Sequence, residues 1–373
     1  MNLRRSQVFL ALALAGSFRC FGESKERTEL LALGSDAVVV GEVRSGQQVD
    51  RAVTFTLAIS RTLKGPLQPG DVIPVSWSTS FRGNSDFVGS YGLWFLGKDS
   101  GGRWRMRPLT NGPVPFAAAY LHLSKVAGPA YPPAGSSPAT LGELMTTELA
   151  AAVPNYKTPD ELTDLAHALL ETEKNPASRA LYFDLRKSSD PELRFLGLVG
   201  LVQFRGWFAL AEIAGDVDLL DHLKVAPDLM DWALVRFRDG DPGCVRSIGR
   251  IGMSTSNEYL RRDAINTLKY IHTRESLPFL AWALDSTNPD LRRAAMWGMT
   301  RFVDNLPIVT PDNVPSGGDS VPLGPAPYRT ADTDRYSVRF LHFPGGQAQE
   351  EECLRFWKSW WERMKGELDP DSK

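Results

Sequence analysis

The spacing of hydrophobic residues changes partway along this chain, and the change predicts two kinds of domain. Between residues 28 and 125 apolar and polar positions alternate, the spacing of strands with one buried face. Val53, Phe55, Leu57 and Ile59 alternate with Ala52, Thr54, Thr56 and Ala58 before the turn residues Leu63-Lys64-Gly65-Pro66. The run Val38-Val39-Val40 marks a strand over Asp36 to Val43, and Ile73, Val75 and Trp77 mark another after Pro69-Gly70-Asp71. Leu93-Trp94-Phe95-Leu96 is apolar at every position, which predicts a strand buried on both faces. Asp99-Ser100-Gly101-Gly102 supplies the residues of a tight reversal into Arg103-Trp104-Arg105-Met106-Arg107. Five or six short strands predict an all-β domain, a small barrel or a sandwich.

Residues 126–140 then turn to Ala, Gly, Pro and Ser, with Pro129, Pro132, Pro133 and Pro138, a composition that predicts a semi-rigid linker. From 141 to 305 the apolar period is about 3.6, as in Leu162, Leu165, Ala166 and Leu169, so this half is expected to be helical. It also repeats. Asp190-Pro191-Glu192-Leu193-Arg194 returns as Asn288-Pro289-Asp290-Leu291-Arg292 and more loosely as Asn257-Glu258-Tyr259-Leu260-Arg261, with a fainter copy at Pro227-Asp228-Leu229. Successive leucines of this phrase lie 36, 31 and 31 residues apart, a recurrence that predicts stacked helix pairs, an all-α solenoid.

Asp190, Asn257 and Asn288 are expected to cap helix N-termini, with Pro191 and Pro289 at the first helical position. Arg194, Arg261 and Arg292 fall at equivalent places and are read as structural repeat positions, each pairing with the cap of its own or the adjoining unit. Arg262 and Arg293 follow them and are the candidate partner-binding residues. The copy at Leu229 has Ala226 and Met230 in place of the cap and the Arg, so that unit is expected to be distorted. Residues 306–340, rich in Pro, Gly, Asp and Ser, predict a loop or hairpin excursion. Over 341–366 a capping helix is expected, with Cys353, Phe356, Trp357, Trp360, Trp361 and Met364 on one stripe.

Two resemblances follow from these motifs. Ser35-Asp36-Ala37-Val38-Val39-Val40-Gly41-Glu42-Val43, the strand closing on Leu63-Lys64-Gly65, and Gly89-Ser90-Tyr91-Gly92-Leu93-Trp94-Phe95-Leu96 together resemble the OB-type barrel of netrin-like and metalloproteinase-inhibitor modules over about ninety residues. The paired cysteines of the animal members have no counterpart here, so the resemblance implies an OB-like fold and not the inhibitor activity. The Asp/Asn-Pro-x-Leu-Arg phrase resembles the second helix of HEAT-type repeats, which implies a HEAT-like solenoid.

Charge and chemistry narrow the function. At 373 residues the chain has room for two cores, and 42 basic against 44 acidic side chains leave a net charge of -2, without the polycationic field that drives nucleic-acid binding. Arg4 and Arg5 ahead of the apolar run Val8 to Ala15 predict an export signal over 1–22. The cut falls after Ser17 or after Ala15, and lipid attachment at Cys20 is disfavoured by Phe18 and Arg19 before it. The run is too short to span a membrane, although membrane proximity stays open. Once the signal is removed Cys244 and Cys353 remain, and an oxidising compartment could join them.

No CxxC pair, HExxH helix or Gly-rich strand-to-helix turn suggests a metal or cofactor. Ser85 and Ser320 lack the surroundings of a nucleophile. Arg103, Arg105 and Arg107 would face one side of a strand, as an anion stripe or a solvated face. Trp357, Trp360 and Trp361 would be a sugar platform or, at helical spacing, core. The expectation is an exported, non-enzymatic scaffold that binds a protein through its solenoid. The alternative is a hydrolase or polysaccharide-binding subunit with a site between the β domain and residues 305–334.

Overall fold

Alternation in the first hundred residues becomes a closed ring of strands. The computed structural model describes residues 28–49, 52–78, 88–106, 120–123, 140–172, 174–224, 226–236, 238–310, 321–338 and 346–369. The expected signal at 1–22 and the linker up to residue 139 lie outside these, as do Ser85, Arg107 and Ser320.

A short helix α1 (Thr28–Gly34) precedes β1 (Ala37–Val49), β2 (Ala52–Lys64), β3 (Val72–Ser78), β4 (Tyr91–Lys98), β5 (Trp104–Met106) and β6 (Tyr120–His122). The strands pair in the order β1-β2-β3-β5-β4, and β4 pairs back onto β1, so five strands close a barrel while β6 adds beside β4. β3 and β5 run parallel and the other pairs antiparallel. Of the two architectures expected, the barrel is the one formed.

β1 can pair on both sides because it bends. Its register with β2 shifts between Val38 and Val39, between Val40 and Gly41, and between Val43 and Ser45, and such irregularities curl a strand. Gly41 sits at one of them with space for no side chain, since a Cβ there would lie 2.6 Å from the carbonyl oxygen of Ala58. Val39, Val43, Val53, Phe55, Leu57, Ile59, Val75, Trp94 and Leu96 fill the barrel. The indole of Trp94 donates to the carbonyl of Gly41 at 2.9 Å, which satisfies its only polar atom inside that core. Asp36 fastens the seam, its amide donating to Leu96 O at 2.8 Å and its carboxylate accepting from the amide of Lys98 at 2.7 Å.

β1 and β4 are buried on their outer side too: Val38, Val40, Leu93 and Phe95 are as inaccessible as the barrel interior. Helices α2 (Leu141–Ala152) and α3 (Pro159–Glu171) pack against this domain, α2 on β2 and α3 on β6. Arg61 of β2 reaches Glu148 of α2 with two parallel bonds, Nε to Oε1 at 2.6 Å and Nη2 to Oε2 at 2.5 Å, and the carboxylate is 1% exposed. Buried and bidentate, this ion pair fixes helix to barrel with both distance and angle specified.

Strand gives way to helix where the spacing changes, yet the compact units of the chain divide elsewhere. One consists of Lys25–Ala233 with Ser254–Leu260, the barrel and the first helices together; the other consists of Leu234–Met253 with Arg261–Lys373. Beyond α3 come α4 (Pro176–Leu185), α5 (Pro191–Val202), α6 (Trp207–Gly215), α7 (Val217–His222), α8 (Ala226–Arg236), α9 (Pro242–Ser254), α10 (Glu258–Ile271), α11 (Leu277–Ala283), α12 (Pro289–Val303), α13 (Ala331–Arg335) and α14 (Gly346–Leu368). Packing among the helices is closest between α4 and α5 and then between α5 and α6, with α11 and α12 next. Gly200 lets α5 lie flat on the ring of the fully buried Tyr182, where a Cβ would collide with three ring carbons.

The described parts of the expected excursion return to α10 and to α12 and its end. Val309 donates to Tyr270 O at 3.1 Å, Leu323 to Asn305 O at 2.9 Å, and Val338 to the hydroxyl of Thr300 at 3.0 Å. In α14 the stripe is divided: Cys353, Trp357 and Trp360 are buried, whereas Phe356, Trp361 and Met364 are more open to solvent. Trp357 donates to Tyr336 O at 3.0 Å and meets Trp360 edge to face at 5.5 Å, so these indoles are core and not a stacking platform. Cys244 and Cys353 are free, buried thiols. Burial, with Asp239 and Asp241 nearby, pushes the Cys244 thiol up to about 12, which leaves it unreactive. The arginine stripe also needs correction. Arg103 lies in the turn before β5, held by Asp99 at 2.9 Å, and only Arg105 of the described pair is on the strand. No helix among the described residues is long and apolar enough to cross a membrane.

Candidate functional site

The repeated phrase produces one local geometry three times. Asp190 Oδ1 accepts from the amides of Glu192 at 2.9 Å and Leu193 at 3.4 Å; Asn257 Oδ1 accepts from Tyr259 at 3.0 Å and Leu260 at 3.3 Å; Asn288 Oδ1 accepts from Asp290 at 2.9 Å. Each cap thus satisfies amides that the first helical turn leaves without partners. A second element recurs that the repeat phrase alone does not contain. The hydroxyls of Ser188, Thr255 and Ser286, two residues ahead, accept from the amide of each cap at 3.1 Å. The signal was present in Ser188-Ser189-Asp190, Thr255-Ser256-Asn257 and Ser286-Thr287-Asn288.

Two of the first arginines attach to neighbouring loops or caps. Arg194 lies 3.6 Å from Asp216, the cap of α7, and Arg292 Nη1 donates at 3.0 Å to the carbonyls of Ser286 and Thr287, just before its own cap. Arg261 is half-buried. The two candidate contact residues differ. Arg262 is exposed beside Asp263 at 3.4 Å. Arg293 is drawn inward to Glu350 of α14 at 2.7 Å, and Arg292 shares that carboxylate at 3.4 Å. Glu350 is 6% exposed at its side chain, so the pair of arginines clamps the terminal helix.

A denser collection of charge lies where α10 and α12 meet, with Arg238 from the segment after α8, and no repeat motif announced it. Gly298 allows the approach, with a Cβ there falling 3.0 Å from Lys269 Cα and 2.7 Å from Leu280 Cδ1. Lys269, Arg301 and Arg238 are 4%, 3% and 8% exposed. The Lys269 ammonium bonds Asn266 Oδ1 at 2.9 Å and lies 4.7 Å from the Trp297 ring centre and 4.9 Å from that of Tyr270. Arg238 lies over the same Tyr270 ring at 4.4 Å. Its Nη1 donates to Val309 O, and Arg301 Nη2 donates to Pro307 O, both at 3.3 Å.

Burial, then the charges of Arg238 and Arg301, bring the Lys269 ammonium down to about 7. His272, at the end of α10, is held by Leu306 O at 2.7 Å, and burial brings it down to about 4. Aromatic faces attract cations and offset part of the cost of burying the Lys269 ammonium. Such perturbed groups gather preferentially at functional sites. Sequence reasoning did not find them, because lysine and arginine on an amphipathic helix read as its solvated face.

No family model matches this chain, and no curated protein or solved structure matches it.

Proposed function

We propose that this chain is an exported, non-enzymatic scaffold that binds a protein partner on a surface of stacked, HEAT-like helix pairs. The observation that carries the reading is the threefold recurrence of hydroxyl, cap and arginine ahead of α5, α10 and α12. Recurrent junctions give successive helices the same entry, as units that bury their apolar faces on one another require. The barrel order, closing β1-β2-β3-β5-β4-β1 with β3 parallel to β5, supports the OB-like reading of the first domain. In this proposal the barrel adds a second contact surface, and the arginine and cap positions Asp190, Arg194, Asn257, Arg261, Asn288 and Arg292 shape the helices. Arg262 contacts the partner, whereas Arg293 serves the fold through Glu350.

Pull-down with the full chain from periplasmic and membrane fractions, followed by reconstitution with the purified candidate, tests this. Arg262→Glu should weaken the reconstituted complex without changing the unfolding midpoint. Failure to capture any protein, or a complex indifferent to Arg262→Glu and to charge reversals elsewhere on α5, α10 and α12, would remove the proposal.

A further inference from the structure

We propose that the exposed faces of α4 and α6 form a docking surface for an acidic segment of a partner protein, whose carboxylates meet Arg179 and Arg205 while an apolar side chain between them covers the ring of Phe208. This rests on the reading of the chain as a protein-binding scaffold and gives it a second surface with its own chemistry. The first ground is an apolar surface set up in advance. Phe208 is 48% exposed near the start of α6, and its ring stacks on that of Phe183 from α4 at 6.4 Å with 15° between the planes. The ring lies back over Gly206, where a Cβ would fall 3.1 Å from one of its edge carbons. Ala180, one turn before Phe183, and Ala211, one turn after Phe208, are exposed and small, so neither stands over the rings.

The second ground is charge. The Arg179 guanidinium lies over the Phe183 ring at 5.7 Å, and that of Arg186 over the Phe208 ring at 5.2 Å. Arg186 is already matched, donating to Glu212 Oε2 from Nε at 3.0 Å and from Nη2 at 2.6 Å. Asp184 is matched by Lys187 at 3.2 Å. Arg179 is exposed, and among the described residues no carboxylate lies within ion-pair distance of it. The same holds for Arg205, in the turn immediately before Gly206. The acids of this surface are thus neutralised while two guanidinium groups are left over, so its complement is negative.

An exposed ring fixed by stacking, with guanidinium groups at its margin, has the composition of interface centres, where aromatic and arginine side chains carry most of the energy. Holding the rings and Arg186 in place beforehand removes part of the ordering cost of association. A basic segment would be repelled by Arg179 and Arg205, and a wholly apolar one would strip water from them without replacing it. A segment that mixes carboxylates with apolar side chains satisfies ring and guanidinium together. Arg262, on α10, is no member of this set, so the two can be altered separately.

The test is affinity selection with the full chain from two libraries of short labelled peptides, followed by anisotropy titration of those selected. One library mixes Asp and Glu with Phe, Leu and Ser; the other carries Lys and Arg in place of the acids. The expected result is selection from the acidic library, binding that weakens as salt rises, and a loss of about tenfold or more in affinity for Arg179→Glu and for Phe208→Ala. Arg179→Lys, which keeps the charge, should retain part of the binding, and Arg262→Glu should leave it unchanged. Should Phe208→Ala not fold, Ala211→Glu, which sets a like charge on the same exposed face, reads the same loss. Selection from neither library or from the basic one, or acidic peptides held equally by Arg179→Glu and Phe208→Ala, would overturn the proposal and leave the scaffold reading to its own pull-down. Acidic peptides released by Arg262→Glu but not by Arg179→Glu would overturn it while supporting that reading. Dimers lost in Phe208→Ala, with no peptide bound, would overturn it by assigning the face to a second copy of the chain.

Discussion

Two buried charged groups, one in each compact unit, show opposite uses of the interior. At Glu148 the carboxylate is matched atom for atom by the guanidinium of Arg61, and the pair orients α2 on the barrel. At Lys269 the ammonium is surrounded by like charge and aromatic rings. Desolvation costs both, but only the first recovers the cost through geometry. A matched buried pair is therefore architecture. An unmatched cation is a standing expense to the fold.

The contrast is sharpest under substitution. Glu148→Ala leaves the Arg61 guanidinium buried without its fork and should cost about 3 to 5 kcal/mol in urea unfolding. A loss below about 1 kcal/mol would mean that the pair does not hold the helix. Acid provides the next test. His272 has a folded-state value of about 4, below its ordinary 6.5, so the unfolded chain binds more protons between those limits and stability must rise with pH there. This contribution is complete above pH 6.5 and lost as pH falls through 4, roughly 3 kcal/mol in all. His272→Gln should flatten that part of a stability-against-pH profile.

Lys269→Met should have the opposite sign to Glu148→Ala. It should stabilise the protein by about 1 to 2 kcal/mol at pH 6. The gain should shrink as pH rises above 7, because the neutral amine no longer strains the interior. Smallest of the four, Ser286→Ala removes one hydroxyl from one repeated junction and should cost about 0.5 to 1 kcal/mol, with Asn288→Ala costing about 1 to 2. Equal effects at Ser188 and Thr255 would establish the three junctions as equivalent.

The difference between the two charged groups also explains what the sequence revealed. Features made by neighbours were readable. Val53, Phe55, Leu57 and Ile59 alternate because a strand alternates, and the caps at Asp190, Asn257 and Asn288 act within three residues of themselves. Leu93 to Leu96 announced a strand covered on both sides for the same reason. The ion pair of Arg61 and Glu148 joins residues 87 apart, and Arg293 meets Glu350 across 57, distances over which no periodicity speaks. Arg262 and Arg293 occupy equivalent places in the repeat and differ only because α14 brings a carboxylate to one of them. Lys269 and Arg301 were hidden by their own chemistry, since charge on a helix predicts water and here is buried. The unit boundary escaped for a related reason: a change of period marks where strands stop, whereas the pair at Glu148 binds the barrel to the first of the helices.

The terminal helix carries a practical consequence. Its last turn accepts a bond from Arg274 at Leu368 O, and Trp357 and Glu350 are anchored farther back. A carboxypeptidase or a stop codon that removed residues from Trp357 onward would strip indoles from an interior and bare the apolar sides of α11 and α12. Trimming that halts after Leu368 would leave them shielded. Susceptibility to exoproteolysis should thus be a step function of position, with its edge between Trp357 and Leu368.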